Sequence, residues 1–408
     1  MPMPHSVDGD VHVKERIVTS SRCSCACVFV RGIFGCLLLL AISGAGYGAN
    51  DDDADRYDAL APQAKVVVLA DFNSTTGTHP QGGVILASDG NFYGVTTQGG
   101  RFDHGTAYRM KPSGSLTVIH DFTGGPSDGV APQGLVQGSD GALYGISYDP
   151  GVVAHMGFIF RLTLDGAVEV LHILTIDDGV PFLAPIQASD GYMYGVTGEV
   201  FQGGAGELYR ISHEGDFKVV APFGFGGLYS SRYGQPLEGD DGNFYVTASA
   251  GGSHHCGGLL RITPTGDMTT LYEFRCSKSD GRSPQFQLAY DAAHEYMYGV
   301  TTFTVPGVFR YRDGAVETVA LFKKDPGPLT LGPDGMQFYL IDAGNLYSIS
   351  PEGEKLKVAE LPGPRQHHRK SNQEAQRDKP SLDQDRLRLR TQPVNSSSAR
   401  DSQNYATD

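Results

Sequence analysis

A short phrase recurs along this 408-residue chain at a spacing near fifty residues. It reads "SDGNFYGVTT" at 88–97, "SDGALYGISY" at 139–148 and "SDGYMYGVT" at 189–197. Diverged copies are "DDGNFYV" at 240–246, "HEYMYGV" at 294–300 and "PDGMQFYL" at 333–340. The second aromatic of the copies is Tyr93, Tyr144, Tyr194, Tyr245, Tyr298 and Tyr339, separated by 51, 50, 51, 53 and 41 residues. A sustained period of this length marks a repeat architecture, in which each unit buries its faces only against its neighbours.

A second phrase follows each first one. It is "GTAYRMKPSGSLTVIHDF" at 105–122, "GFIFRLTLDGAVEVLHIL" at 157–174, "GELYRISHEGDFKVVAPF" at 206–223 and "GGLLRITPTGDMTTLYEF" at 257–274. Weaker forms stand at 307–322 and 344–361. Five of the six carry an arginine at one place: Arg109, Arg161, Arg210, Arg261 and Arg310. Each unit reads as four strands. The first is short and apolar, the Asp-Gly pair turns it into the second, a variable loop leads to the third, and a Gly-containing turn leads to the fourth. Asp and Gly tolerate the positive φ that tight hairpins demand. Later strands alternate apolar with polar residues, as half-buried strands do. With 54 Gly, 20 Tyr, 20 Phe and only 19% charged residues, the composition suits short strands and tight turns.

Four-stranded units of this period predict an all-β fold, a β-propeller of six blades. Residues 64–72, "AKVVVLADF", are an extra copy of the fourth strand placed before the first full unit. That copy either pairs into the last blade to close the ring or belongs to a seventh, degenerate blade. Residues 355–361 already offer the last blade a fourth strand, so both closures stay open.

The elements "PQGLVQGSDGALYG" (132–145) and "GTAYRMKPSGSLTVIHDF" (105–122) resemble the choice-of-anchor tandem-repeat proteins with the GloVer-type repeat. The resemblance covers about 65–361. It implies an exported bacterial protein of repeated β-blades, and it implies no assigned activity. The chain departs from that family in showing no recognisable C-terminal anchor. The Asp-Gly-Asn-aromatic element is similar, more distantly, to repeats of streptogramin-lyase-like and sensor-kinase propellers.

The ends differ from the middle. Residues 23–49 hold an apolar run, strongest over Ile33–Ile42, preceded by Arg22 and Arg31 and followed by small residues. It is short for a membrane span and reads as a secretory signal cut after Ala45, with an uncleaved anchor as the alternative. The expected organisation is therefore an N-terminal extension with signal at 1–45, an acidic linker at 46–63, the propeller at 64–361 and a disordered polar tail at 362–408. Four basic and three acidic residues lie in 1–49, and eight and six in 366–408, which leaves 20 basic and 37 acidic residues in 50–365. So acidic a body argues against nucleic acid or an anionic membrane as partner. Location outside the cytoplasm, secreted or periplasmic, follows from the signal. No cofactor is expected, and a monomer is.

Repeated residues serve the repeat first. Asp89, Asp140, Asp190, Asp241 and Asp334 read as turn residues bonding nearby backbone N–H groups, and the repeated tyrosines as core. His120 and His172 share a repeat position held by Tyr272 in another copy, an exchange that suits packing. Nonrepeated loop residues are the functional candidates. The loop between the second and third strands carries Asp103, His104, His155, His254 and His255, which are expected on one face, where they could bind a ligand or metal or move a proton. Cys256 and Cys276 are the only cysteines beyond the apolar run. They fall nearly opposite each other across the hairpin that turns at Thr265–Gly266, so a disulfide is expected. Phosphate-cradling loops, "HExxH" and Asp-rich calcium loops are absent. The function expected is an exported binding or scaffold module that takes a carbohydrate or protein ligand on the loops of one face. The alternative is a propeller enzyme, a lyase or hydrolase, that uses the loop histidines.

Overall fold

The computed structural model describes residues 25–30, 36–43, 65–148, 156–198, 206–224, 228–229, 234–277, 279–291, 293–303, 305–332 and 337–361. All of its regular elements are strands. A three-stranded sheet holds β1 (Cys25–Val30), β2 (Cys36–Ser43) and β3 (Lys65–Asp71). Blade 1 is β4 (Thr78–Leu86), β5 (Phe92–Gln98), β6 (Thr106–Met110) and β7 (Leu116–Asp121). Blade 2 is β8 (Pro132–Gln137), β9 (Leu143–Tyr148), β10 (Gly157–Leu162) and β11 (Val168–Leu174). Blade 3 has its first strand in two pieces, β12 (Val180–Pro181) and β13 (Ile186–Gln187), before β14 (Met193–Gly198), β15 (Glu207–Ile211) and β16 (Phe217–Pro222). After β17 (Leu228–Tyr229), blade 4 is β18 (Leu237–Glu238), β19 (Phe244–Ala248), β21 (Gly258–Ile262) and β22 (Met268–Glu273), with β20 (Ala250–Gly251) pairing β17. Blade 5 is β23 (Pro284–Tyr290), β24 (Met297–Thr301), β25 (Gly307–Arg312) and β26 (Ala315–Leu321). Blade 6 is β27 (Thr330–Leu331), β28 (Phe338–Asp342), β29 (Asn345–Ile349) and β30 (Lys355–Glu360). All six are antiparallel four-stranded sheets, the expected propeller.

The recurring phrase has a local physical reason at each letter. Gly141 holds φ +80° in the turn between the first two strands of blade 2. The neighbouring Asp140 accepts the Ala142 N–H at 3.0 Å and the Tyr144 hydroxyl at 2.9 Å. The same tyrosine-to-aspartate bond occurs as Tyr93–Asp89, Tyr194–Asp190 and Tyr245–Asp241, at 2.8–3.0 Å. The repeated Arg is the cross-strand partner of the repeated Tyr, as in Tyr144 opposite Arg161. Arg161 donates to Asp140 from Nε and Nη2 at 3.1 and 2.9 Å and from Nε to the Tyr144 hydroxyl at 3.2 Å. Burial of Asp140 works against its charge, yet the bonds from Arg161, Tyr144 and Ala142 outweigh it and hold the carboxyl low. Asp334 lies outside the described residues.

The Gly after the tyrosine makes room for a ring. A Cβ at Gly94, Gly145, Gly195 or Gly299 would collide with the aromatic on the third strand: Tyr108, Phe160, Tyr209 or Phe309. Blade 4 has Val246 in that place, and its partner across the ladder is Leu260. Blade 6 departs from the pattern, with Leu340 opposite Tyr347.

Blades touch through apolar clusters. Phe122 and Ile119 of blade 1, for example, pack with Leu143, Phe160 and Leu162 of blade 2. The turn between third and fourth strands also rests on the preceding blade. A Cβ at Gly166, Gly215, Gly266 or Gly353 would strike the carbonyl of Ile119, Leu171, Val220 or Val319, on the outer strand before it. Blade 6 keeps its own fourth strand, β30, so β3 does not pair into it. Instead β3 lies between blades 6 and 1. Val68 packs with Tyr339 and Leu346, while Leu69 and Phe72 pack with Phe92, Tyr108 and Met110. The expected linker at 46–63 and tail at 362–408 fall outside the described residues.

Candidate functional site

The two ends of the strands are unlike. One end carries only tight turns. The other carries the loops between second and third strands together with the connections from each blade to the next. These two kinds of loop are tied together. The His104 carbonyl accepts the Ala131 N–H at 2.9 Å, and the Cys256 carbonyl accepts the Ser283 N–H at 2.9 Å. Each such loop closes on a glycine (Gly105, Gly157, Gly206, Gly257), because a Cβ there would meet the carbonyl of the neighbouring strand.

The candidate residues divide by role. Asp103, at φ 60°, spends its carboxylate on the Gly99 N–H at 2.9 Å and so shapes its loop. The His104 ring lies over Gly124 of the following connection, where a Cβ would overlap it. His254 Nδ1 is 2.9 Å from Ser253 Oγ, and Ser253 in turn bonds Glu273 through N–H and hydroxyl. Those two bonds from Ser253 hold the Glu273 carboxyl low. His255 turns the chain at φ 54°. The structure therefore joins His254, His255 and Cys256 in one loop and places His104 in the corresponding loop of blade 1. His155 lies outside the described residues. Among the described residues, no group of three or more His, Cys, Asp or Glu could hold a metal ion.

Cys256 and Cys276 form a disulfide with Cα atoms 5.6 Å apart, which locks this loop to the next connection. The hairpin register explains the fit. Partners sum to 530 near the turn (Ile262 opposite Met268) and to 531 past a bulge (Gly258 opposite Glu273). The extra residue moves Cys276 toward the place opposite Cys256.

Three features of this face escaped the sequence. First, His120 and Tyr272 each bond an aspartate of the following connection, and His172 faces the equivalent Asp178 without a hydrogen bond. His120 Nε2 is 3.1 Å from Asp128, Tyr272 donates to Asp280 at 3.0 Å, and His172 Nε2 stands 3.9 Å from Asp178. Each aspartate also collects bonds from its own connection, as from the Thr123 N–H and hydroxyl to Asp128. The signal was the recurring "DG" ahead of Pro132, Pro181 and Pro284. Second, Glu207 is only 6% exposed, and its Oε1 has no hydrogen-bond partner. Burial, with the nearby Asp178 charge, pushes its carboxyl up to about 8, so it is protonated at neutral pH. Third, Phe102 and Phe303 are 45% and 61% exposed in the loops of blades 1 and 5. Arg101 lies over the Phe102 ring at 5.3 Å.

A search of curated proteins found no match. Among solved structures, the chain is similar to a Bacteroides fragilis protein provisionally described as a 6-phosphogluconolactonase, with TM-score 0.52 and 14% identity over 85% of this chain and 98% of that one. It is similar to a puromycin hydrolase with TM-score 0.51 and 14% identity, over 85% of this chain and 55% of that one. TolB from Acinetobacter baumannii gives TM-score 0.41 and 16% identity, over 63% of this chain and 60% of that one. At such identities the likeness is one of fold. The chain thus spans between about half and two thirds of the length of two of these relatives. The model of the Gloeobacter/Verrucomicrobia repeat matches twice, over 47–233 and 127–309, which takes in the recurring phrases of the first four blades and most of the fifth. The chain belongs to the Gloeobacter/Verrucomicrobia repeat family.

Proposed function

We propose that the protein is an exported binding module whose loop-bearing face takes a carbohydrate. The observation that carries this reading is that, among the described residues, the exposed rings Phe102 and Phe303 lie on that face near nonrepeated polar groups. Phe102 stands beside Asp103 and His104, and Phe303 on blade 5 follows the blade that carries His254 and His255. An aromatic face stacks on the apolar side of a sugar ring, and imidazole and carboxylate groups fix its hydroxyls. The repeated Asp and Tyr groups of the first four blades, by contrast, bond one another at the opposite end, and Arg161 joins that pair in blade 2. Export is supported by the apolar run near the N-terminus and by a disulfide of the kind that persists in oxidising compartments.

A thermal-shift screen with neutral and acidic oligosaccharides tests this, since a ligand that binds only the folded state must raise the melting temperature. A shift that is lost in Phe102→Ala and in His104→Ala supports the assignment. No shift with any glycan at millimolar concentration overturns it. Glycan cleavage in the same samples would instead support an enzyme.

A further inference from the structure

The ring has seven places, and the sequence repeat fills six of them. β3 takes the outer position of the seventh. A Cβ at Gly114 of blade 1 would meet the Leu69 carbonyl, just as one at Gly166 would meet that of Ile119. β2 pairs with β3 through Cys36 opposite Asp71 and Leu38 opposite Val68, with a bulge between Leu37 and Leu38. The third and fourth strands of blade 1 pair in the same way: Thr106 opposite Asp121 and Tyr108 opposite Val118, with a bulge between Ala107 and Tyr108. β1 pairs with β2 through Phe29 opposite Leu39, the places of Tyr93 and Arg109 in blade 1. β1 also neighbours β4, as β5 of blade 1 neighbours β8 of blade 2. Residues 25–30 and 36–43 thus follow the backbone path of a second and third strand. Yet they contain no Asp-Gly turn, no Tyr-Gly pair and no arginine at the ladder position.

We propose that the seventh place is a strand-acceptor site whose occupant is residues 25–43, the same run that reads as an export signal. The inner edge of β3 is a row of backbone donors and acceptors between two apolar blade faces, and such an edge takes up a strand readily. "CLLLLAIS" at 36–43 has the continuous apolar character of a strand buried on both sides. In an unprocessed chain this segment closes the ring.

The test uses the full chain, produced uncleaved and verified by mass. Asp71→Cys places a thiol opposite native Cys36. Oxidation followed by peptide mapping should join the introduced thiol to Cys36 within one chain, in preference to Cys23, Cys25 or Cys27. Hydrogen exchange provides a second readout on the unmodified chain. Amides of 65–71 should exchange at least tenfold faster in Leu38→Asp/Leu40→Asp than in the wild type, with the amides of the six blades unchanged. Indiscriminate or absent cross-linking, or equal exchange in the two proteins, overturns the proposal. A bond from the introduced thiol of one chain to Cys36 of another also overturns it, by making a second copy the occupant. These readouts are independent of glycan binding, so either reading can fail alone.

Discussion

Glu207 stands where the other third strands carry Thr106, Phe158, Gly258 and Gly307, counted from the repeated arginine. A carboxyl at this depth is held neutral by its surroundings. Its ordinary value in an unfolded chain is about 4.3, against about 8 in the fold. The folded state therefore binds the extra proton between those values, and stability falls as pH rises from about 4.5 through 8. Relative to wild type, Glu207→Gln is expected to gain roughly 4 kcal/mol of stability between pH 5 and pH 9. Urea unfolding at the two pH values checks this. An equal effect at both would show that the carboxyl is not held neutral. Glu207 was visible in the sequence only by aligning the copies. The Asp178 charge that adds to its shift comes from the connection between blades 2 and 3. The expected turn role of Asp89, Asp140, Asp190 and Asp241 was legible because it is local: each bonds its own turn and a tyrosine four residues on.

Glycines of one repeat differ in what they tolerate. Gly141 and Gly166 both hold positive φ, at +80° and +102°. A Cβ at Gly141 would meet open space, whereas one at Gly166 would strike the Ile119 carbonyl of the preceding blade. Gly141→Ala should thus cost about 1 kcal/mol, the left-handed backbone term alone. Gly166→Ala should cost about 3 kcal/mol or more, because blade 2 must move off blade 1. Melting curves of the two variants give the comparison, and equal losses would sink the interlocking account. The hairpin of blade 4 offers a second test. The disulfide closes a loop of 20 residues in sequence separation. Reduction, or the double change Cys256→Ala and Cys276→Ala, should lower stability by about 3 kcal/mol in the chain-entropy account. An unchanged denaturation midpoint with and without reductant would contradict it. The pairing was legible because hairpin register is arithmetic. The fine adjustment by a bulge was not.

For the molecule as a whole, six four-stranded blades follow one another, and β3 packs between the last and the first. Residues 366–408 have no apolar periodicity and no copy of the repeat. Their removal is expected to change stability by less than about 0.5 kcal/mol, as for uncoupled surface changes. A lost or broadened unfolding transition in chain 1–365 would show that the tail is docked. The two closures left open by the sequence are decided by the position of β3. It neither pairs into blade 6 nor stands outside the ring, but occupies the outer place between blades 6 and 1.

A blade could be read from the residues alone: its strand order, its Asp-Gly turn, the tyrosine beneath it, and the disulfide across one hairpin. All of these depend on contacts within about fifty residues, which every copy restates. Where β3 sits between the last and first blades, and that Glu207 is buried, emerged only from the folded chain. Those outcomes depend on surfaces that meet only when successive units are stacked. The apolar run at 25–43 shows the difference most plainly. Its composition is equally that of an export signal and of a doubly buried strand, and only the pairing of β2 with β3 in the fold brings out the second.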